Sequence, residues 1–187
     1  MPASLIPSFL IMLDFTKRTP EIRTERLLLR ALMPSDLEDM LSILQNDKVK
    51  LTYMLPDFPT REDAVKLFDR LLALSHSAGH LVVGVCRGEK LIGFLNSTEI
   101  AGDSIEVGYA YHPDHWNHGY ATEALKAMIA ELFRLGFSVV RAGYFEENPA
   151  SGRVMEKSGM QHIEYTDSIE YRGKTHRCIY YEICEAV

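Results

Sequence analysis

The stretch from Ser104 to Gly136 leaves this chain few choices of fold. Ser104–Tyr111 alternates, with Ile105, Val107, Tyr109 and Tyr111 on one side and Glu106, Gly108 and Ala110 on the other, the period of a strand. Ala121, Ala124, Leu125, Met128, Ile129 and Leu132 then recur at helical spacing, and Gly136 is placed to end that helix. Only a short turn around Gly119 separates the two. A strand, a glycine-bearing turn and a helix start in this order also make an anion site, because a helix N-terminus presents unpaired N–H groups and a positive dipole end. Glycine there removes the Cβ that would hold a phosphate off the backbone.

The remaining pattern supplies the other elements. Glu25–Ala31 reads as a strand, Ser35 with Glu38 as a capping box before the helical spacing of Leu37, Met40, Leu41 and Leu44. Thr60 with Asp63 opens a second helix carrying Ala64, Leu67, Phe68 and Leu71, after a loop over Asp47–Pro59. Strands at Leu81–Cys86 and Leu91–Thr98 form a hairpin through Arg87–Lys90. After the long helix come a strand at Ser138–Phe145, a short helix from Pro149 to Ser158, and strands around Gln161–Tyr165 and Arg177–Ile183. The order β-α-α-β-β-β-α-β-α-β-β predicts one mixed α/β domain. Residues 1–21 read as an N-terminal leader, flexible or packed, ahead of a domain over 22–187, and Met12 offers a second start. Pro7 interrupts the apolar run Ser4–Leu13 and no Lys or Arg precedes it, against a signal peptide.

Composition excludes some function classes. The 47% apolar and 25% charged content is that of a soluble globular protein. A net charge of −6 argues against a nucleic-acid partner, and no apolar run reaches membrane-helix length. Cys86, Cys178 and Cys184 lack metal-pair or disulfide spacing, so a cytoplasmic protein with reduced thiols is expected. His112, His115 and His118 concentrate three imidazoles. In a strand end and turn, however, three-residue spacing does not give them a common face, so no metal is expected.

Each candidate residue has two readings. Glu106 among small neighbours is a catalytic carboxylate or an edge carboxylate under a loop, and Gly108 marks a bulge or a close approach. The Gly119 turn is an anion cradle or an ordinary turn capped by Asn117. Asn148-Pro149 is an N-cap with proline at the first helical position, and Ser151 a first-turn serine. Tyr53, Phe58, Tyr165, Tyr171 and Tyr180 line an acceptor pocket or pack in the core.

Taken in order, Glu106-Val107-Gly108-Tyr109, Trp116-Asn117-His118-Gly119-Tyr120-Ala121-Thr122-Glu123-Ala124, Asn148-Pro149-Ala150-Ser151 and Ser158-Gly159-Met160 resemble the GNAT N-acetyltransferases. The RimJ/RimL branch is the nearest, given Arg23-Thr24-Glu25-Arg26-Leu27-Leu28-Leu29-Arg30, and the likeness spans Ile22–Ile183. The family's phosphate loop, Gln/Arg-x-x-Gly-x-Gly/Ala, falls on Trp116–Ala121, with Trp116 in place of the polar first residue. The resemblance implies a twisted, mixed, mostly antiparallel sheet flanked by helices, with acetyl-CoA as co-substrate and no metal. It implies a cofactor site of Tyr109, Ala110, Tyr111, Trp116, Asn117, His118, Gly119, Tyr120, Ala121, Thr122, Asn148 and Ser151.

The implied reaction is attack of an amine, at a protein N-terminus or on a small molecule, on the acetyl thioester. Glu106 is the expected base and Ser151, or a nearby tyrosine, the acid to the thiolate. A backbone N–H near Tyr109 would hold the oxyanion. Specificity is expected in Asp47–Pro59 and the Asp167–Thr175 hairpin. C-terminal strand edges would permit a homodimer. The rivals are a non-catalytic acyl-CoA-binding domain of this fold and, behind it, a metal-dependent hydrolase.

Overall fold

Alternation and helical spacing translate into eight strands and five helices in a computed structural model that describes residues 14–186. Strands β1 (Glu21–Arg23) and β2 (Leu28–Arg30) precede helices α1 (Leu37–Leu44), α2 (Asp47–Lys50) and α3 (Arg61–Ser75). Then follow β3 (Val82–Arg87), β4 (Lys90–Ala101), β5 (Ser104–Tyr111), α4 (Tyr120–Arg134), β6 (Val139–Phe145), α5 (Pro149–Lys157), β7 (Gln161–Tyr171) and β8 (Lys174–Cys184). All eight strands form one sheet in the order β1-β2-β3-β4-β5-β6-β8-β7. Every pairing is antiparallel except β5 with β6, so the fold is the mixed, mostly antiparallel α/β sheet that the sequence implies.

Helices cover both faces. On one, Ala124, Leu125, Met128, Ile129 and Leu132 of α4 meet Leu29, Val83, Val85, Ile92, Ile105, Val107, Val140 and Ala142, with Met155 of α5 in the same core. On the other, Met40, Ile43 and Leu44 of α1 and Phe68 of α3 pack on Val82, Cys86, Leu91 and Phe94. Each fully buried Leu or Met here contributes about 1.5–3 kcal/mol, so α4 is held rigidly and its N-terminus is fixed in space.

Several local readings hold. Thr60 Oγ1 accepts the Asp63 N–H (3.2 Å) as the N-cap of α3. Gly136, at φ +95°, ends α4, with the Phe137 N–H returning to the Leu132 carbonyl (3.1 Å). Others are corrected. Ser35 and Glu38 form no capping box: Pro34–Asp36 is a 3-10 turn, and the Asp36 carboxylate instead takes the Met33 N–H (2.7 Å) and both Arg30 guanidinium arms (2.7 and 2.8 Å). The expected strand Glu25–Ala31 shortens to Leu28–Arg30, because Thr24–Leu27 turns back to β1. The loop Asp47–Pro59 contains α2, capped by Asn46, and β7 and β8 run well past the expected strands to form a long hairpin.

Residues 1–13, including Met12 and most of the expected leader, lie outside the described residues. Of the rest of the leader, Phe15 is buried against Phe137 (centroids 6.0 Å apart), and Thr19 donates through its N–H and Oγ1 to Glu131 of α4 (2.5 and 3.0 Å). Cys86 and Cys178 are buried and Cys184 is exposed, all as free thiols.

Candidate active site

A parallel pair of strands normally stays paired; this one does not. β5 and β6 match only at Ser104–Val139, Ile105–Val140 and Glu106–Arg141, after which β5 runs on to Tyr111 and β6 to Phe145 without meeting. Beyond that apex the facing edges carry main-chain groups with no strand partner. A cavity of about 560 Å³ fills the wedge, a size that suits a small-molecule ligand. Tyr109, Ala110, Tyr111, Trp116, Asn117, Gly119, Tyr120, Ala121, Thr122, Asn148 and Ser151 all line it, so the structure brings eleven sequence-derived site residues to one place. Two others, Glu106 and His118, are not in its wall.

The first wall is the turn into α4. Asn117 (φ 61°) and Gly119 (φ 80°) both adopt the left-handed conformation, so Gly119, not Asn117, is the residue from which the helix starts. A Cβ at Gly119 would be strained by that φ whatever the space around it. The N–H groups of the first turn have no intrahelical acceptor and point with the dipole. Arg26 braces this turn from behind. Its backbone N–H and Nε donate to Glu123 (2.8 and 2.7 Å), Nη1 to the His118 carbonyl (2.9 Å), and its guanidinium lies 4.8 Å from the Tyr120 ring centre. His118 stacks on that same ring (5.5 Å, 9°), and Trp116 Nε1 donates to the Tyr111 carbonyl (2.8 Å), closing the end of β5.

The second wall is α5. Asn148 holds the N-cap position of α5 with Pro149 in the first turn, as read from the sequence, but its side chain makes no cap bond. The Tyr109 hydroxyl donates to the Ser151 carbonyl (3.1 Å) and lies 2.8 Å from Ser151 Oγ. Burial pushes the Tyr109 phenol up, against the Ser151 hydrogen bond, so it stays protonated at neutral pH. Sequence reasoning missed Arg153 and Lys157, which line the cavity one helical turn apart and form no ion pair among the described residues. The signal was their i, i+4 spacing on a helix whose start was already suspected.

On the opposite face two glycines flank the wedge, each under a tyrosine. A Cβ at Gly108 would sit 3.0 Å from Tyr53 Oη, and one at Gly143 would sit 2.6 Å from the Tyr180 ring. Gly108 is therefore a close approach, while the bulge lies opposite, in β4 between Ser97 and Glu99. That bulge sets Thr98 beside Glu106, whose carboxylate accepts its hydroxyl (2.9 Å). Burial raises the Glu106 pKa and Glu99 adds to this, while the Thr98 bond and Arg141 oppose it; the net shift is upward. Glu106 sits two residues below Gly108 at the apex, set back from the cavity.

The two segments expected to carry specificity touch. Tyr171 Oη donates to the Lys50 carbonyl (2.8 Å), lies 3.0 Å from the Leu55 carbonyl and accepts the Leu55 N–H (3.2 Å), and Arg172 pairs with Asp57 (2.6 Å). Tyr53 borders the cavity, Tyr165 is exposed beside Tyr180, and Phe58 packs against the α1–α3 core. Among the described residues no group of three His, Cys, Asp or Glu side chains is arranged to hold a metal, and His112, His115 and His118 do not converge.

Known proteins share this construction. The family profile described as an acetyltransferase (GNAT) domain matches residues 26–161. YoaA of Bacillus subtilis (strain 168), described as an uncharacterized N-acetyltransferase, is 31% identical over 147 residues, covering 76% of this chain and 83% of its own. A GNAT-family acetyltransferase from Bacillus anthracis superposes with a TM-score of 0.76 at 26% identity, over 88% of this chain and 98% of that one. RimL, a ribosomal alpha-N-protein acetyltransferase solved with coenzyme A, shares the fold at a TM-score of 0.78 and 17% identity, over 88% and 97%.

Proposed function

This chain belongs to the GNAT acetyltransferase family and is an acetyl-CoA-dependent N-acetyltransferase, and on that premise we propose how its own residues run the transfer. The observation that carries the reading is the wedge between β5 and β6, with two helix N-termini on one face and Glu106 on the other. The left-handed Asn117 and Gly119 turn is a cradle that fits a pyrophosphate, receiving it on the first-turn N–H groups of α4 without a basic side chain from the turn. Asn148, with its side chain free of a capping role, is placed to take a pantetheine amide. Acetyl-CoA supplies the activated acetyl thioester; the chain supplies position, a base and an acid.

The acceptor is a primary amine, at a protein N-terminus or on a small molecule, entering from the face of Tyr53, Gly108 and Glu106. A model α-amine has a pKa of about 8, so a carboxylate suffices as base, working through water given that Glu106 is set back. The amine nitrogen bonds to the thioester carbon and its proton passes to Glu106. Unpaired N–H groups of β5 beyond the apex stabilise the oxyanion. The C–S bond then breaks, and the departing sulfur takes its proton from the Tyr109–Ser151 hydroxyl pair.

The test is incubation with acetyl-CoA and a panel of amines and N-terminal peptides, reading free thiol and acetylated product. Glu106→Gln should lower the rate at neutral pH by about 10²-fold or more while leaving CoA affinity near wild type. Unchanged turnover would remove Glu106 from the base role. Tight CoA binding with no acetylated product from any acceptor would favour a non-catalytic domain.

A further inference from the structure

At the apex of the wedge the register aligns a row of charged side chains across the sheet. Glu99 of β4 faces Glu106 of β5, Glu106 faces Arg141 of β6, and Arg141 faces Glu182 of β8. Neighbouring strands lie about 4.8 Å apart, so directly matched residues on one face are within contact reach. Arg141 donates from one Nη to Glu182 (3.1 Å), while its Nε is buried with no hydrogen-bond partner. A buried guanidinium donor without an acceptor is costly unless it serves something nearby. The groups around Glu106 are Thr98 and Glu99 from β4, Arg141 from β6, and Cys178 and Tyr180 from β8. Asp167 of β7 adds a further negative charge beside Cys178 and Tyr180. Arg141 is the one cation in that set.

We propose that Arg141 is a positioning residue for the reaction, a single guanidinium shared between Glu182 and Glu106 that keeps the base ionised at the apex. This rests on the reading of Glu106 as the base, and it assigns a job to a side chain that touches neither acetyl-CoA nor the amine. Glu182 is the tether. It fixes one arm of the guanidinium and draws away part of its field, so the two carboxylates compete for one charge.

The competition gives two substitutions opposite signs. Profiles of kcat against pH are measured with one acceptor for every variant, and the Glu106 side-chain carboxyl is titrated by NMR in the free protein. Arg141→Gln should raise the Glu106 titration and the acid limb, the two side chains lying at matched register positions without direct ion-pair contact. Activity should return at high pH, with CoA affinity unchanged. Arg141→Lys should recover part of the shift. Glu182→Gln frees the guanidinium and removes a negative charge, so the limb should move down. An acid limb and NMR titration that stay put in both Arg141→Gln and Glu182→Gln would overturn the proposal even if Glu106→Gln is inactive. Full activity in Glu106→Gln would instead remove the base reading beneath it. Should Arg141→Gln fail to fold, Arg141→Lys decides, since a displaced charge should still move the Glu106 titration and acid limb upward, and an unmoved titration would overturn the proposal.

Discussion

Gly119 shows how much one residue can fix. Its φ of 80° is a conformation that a Cβ makes unfavourable by about 1–2 kcal/mol, and the neighbouring Asn117 already occupies the same region. Gly119→Ala would press the turn toward an ordinary helix entry and rotate its N–H groups off the cradle. CoA affinity should drop by about tenfold, which corresponds to roughly 1.4 kcal/mol. Isothermal titration with CoA measures this, and an unchanged Kd would mean the pyrophosphate lies elsewhere. Glu123 acts on the same turn from behind, since its carboxylate gathers the Thr24 hydroxyl, the Arg26 backbone N–H and the Arg26 guanidinium (2.5, 2.8 and 2.7 Å). Glu123→Gln should weaken both CoA binding and fold stability, the latter by about 1.5–3 kcal/mol, as for a lost hydrogen bond to a charged group. Thermal unfolding with and without CoA separates the two effects.

Whole elements were legible in the sequence where local pattern and packing agree. β5, α4 and the hairpin β3–β4 could be read because alternation, helical stripe and turn residues all point the same way. β1, α2 and the outer halves of β7 and β8 could not. Thr166–Glu170 is polar and largely exposed, and it holds strand geometry only through its ladder to Thr175–Ile179. Ser35 misled because Pro34 starts the turn one residue earlier, with Met33 as its N-cap, so Asp36 rather than Glu38 is the carboxylate that returns to the cap N–H, that of Met33. The same limit hid half of the cavity wall. Arg153 and Lys157 have no chemistry of their own in the sequence; they gain it when α5 turns that face toward α4. If they meet the phosphates, Arg153→Ala with Lys157→Ala should weaken CoA more than 3′-dephospho-CoA or an acetylated pantetheine. The loss should shrink as salt rises, because partly exposed charge pairs are screened within about 10 Å at 0.1 M. Equal losses for all three ligands at every salt concentration would count against phosphate contacts.

At the scale of the whole molecule, stability and catalysis ask different things of the carboxylates, and their pKa directions predict a conflict near mild acid. Burial works to raise Glu123 and Glu131, but hydrogen bonds win: Thr24 and Arg26 for the first, Arg134 and Thr19 for the second, so both end lowered. A carboxylate depressed in the folded state stabilises above its unfolded pKa of about 4.3, and that contribution is lost as pH falls through the folded value. Both residues tie N-terminal segments to α4, so the whole α4 face should loosen together below about pH 4. Glu106 runs the other way. With its pKa raised in the fold, its ionisation costs stability above about pH 4.3, and protonating it restores that stability while removing the base. The chain should therefore be most stable on the acid side of neutrality, where its turnover is already falling. A series of melting temperatures from pH 3.5 to pH 8, beside kcat over the same range, measures the two curves. In Glu106→Gln the melting temperature should rise at neutral pH and change little near pH 4. Coincident optima for stability and turnover in the wild type, or no gain from the glutamine at neutral pH, would show that the apex carboxylate is not under the strain its burial implies.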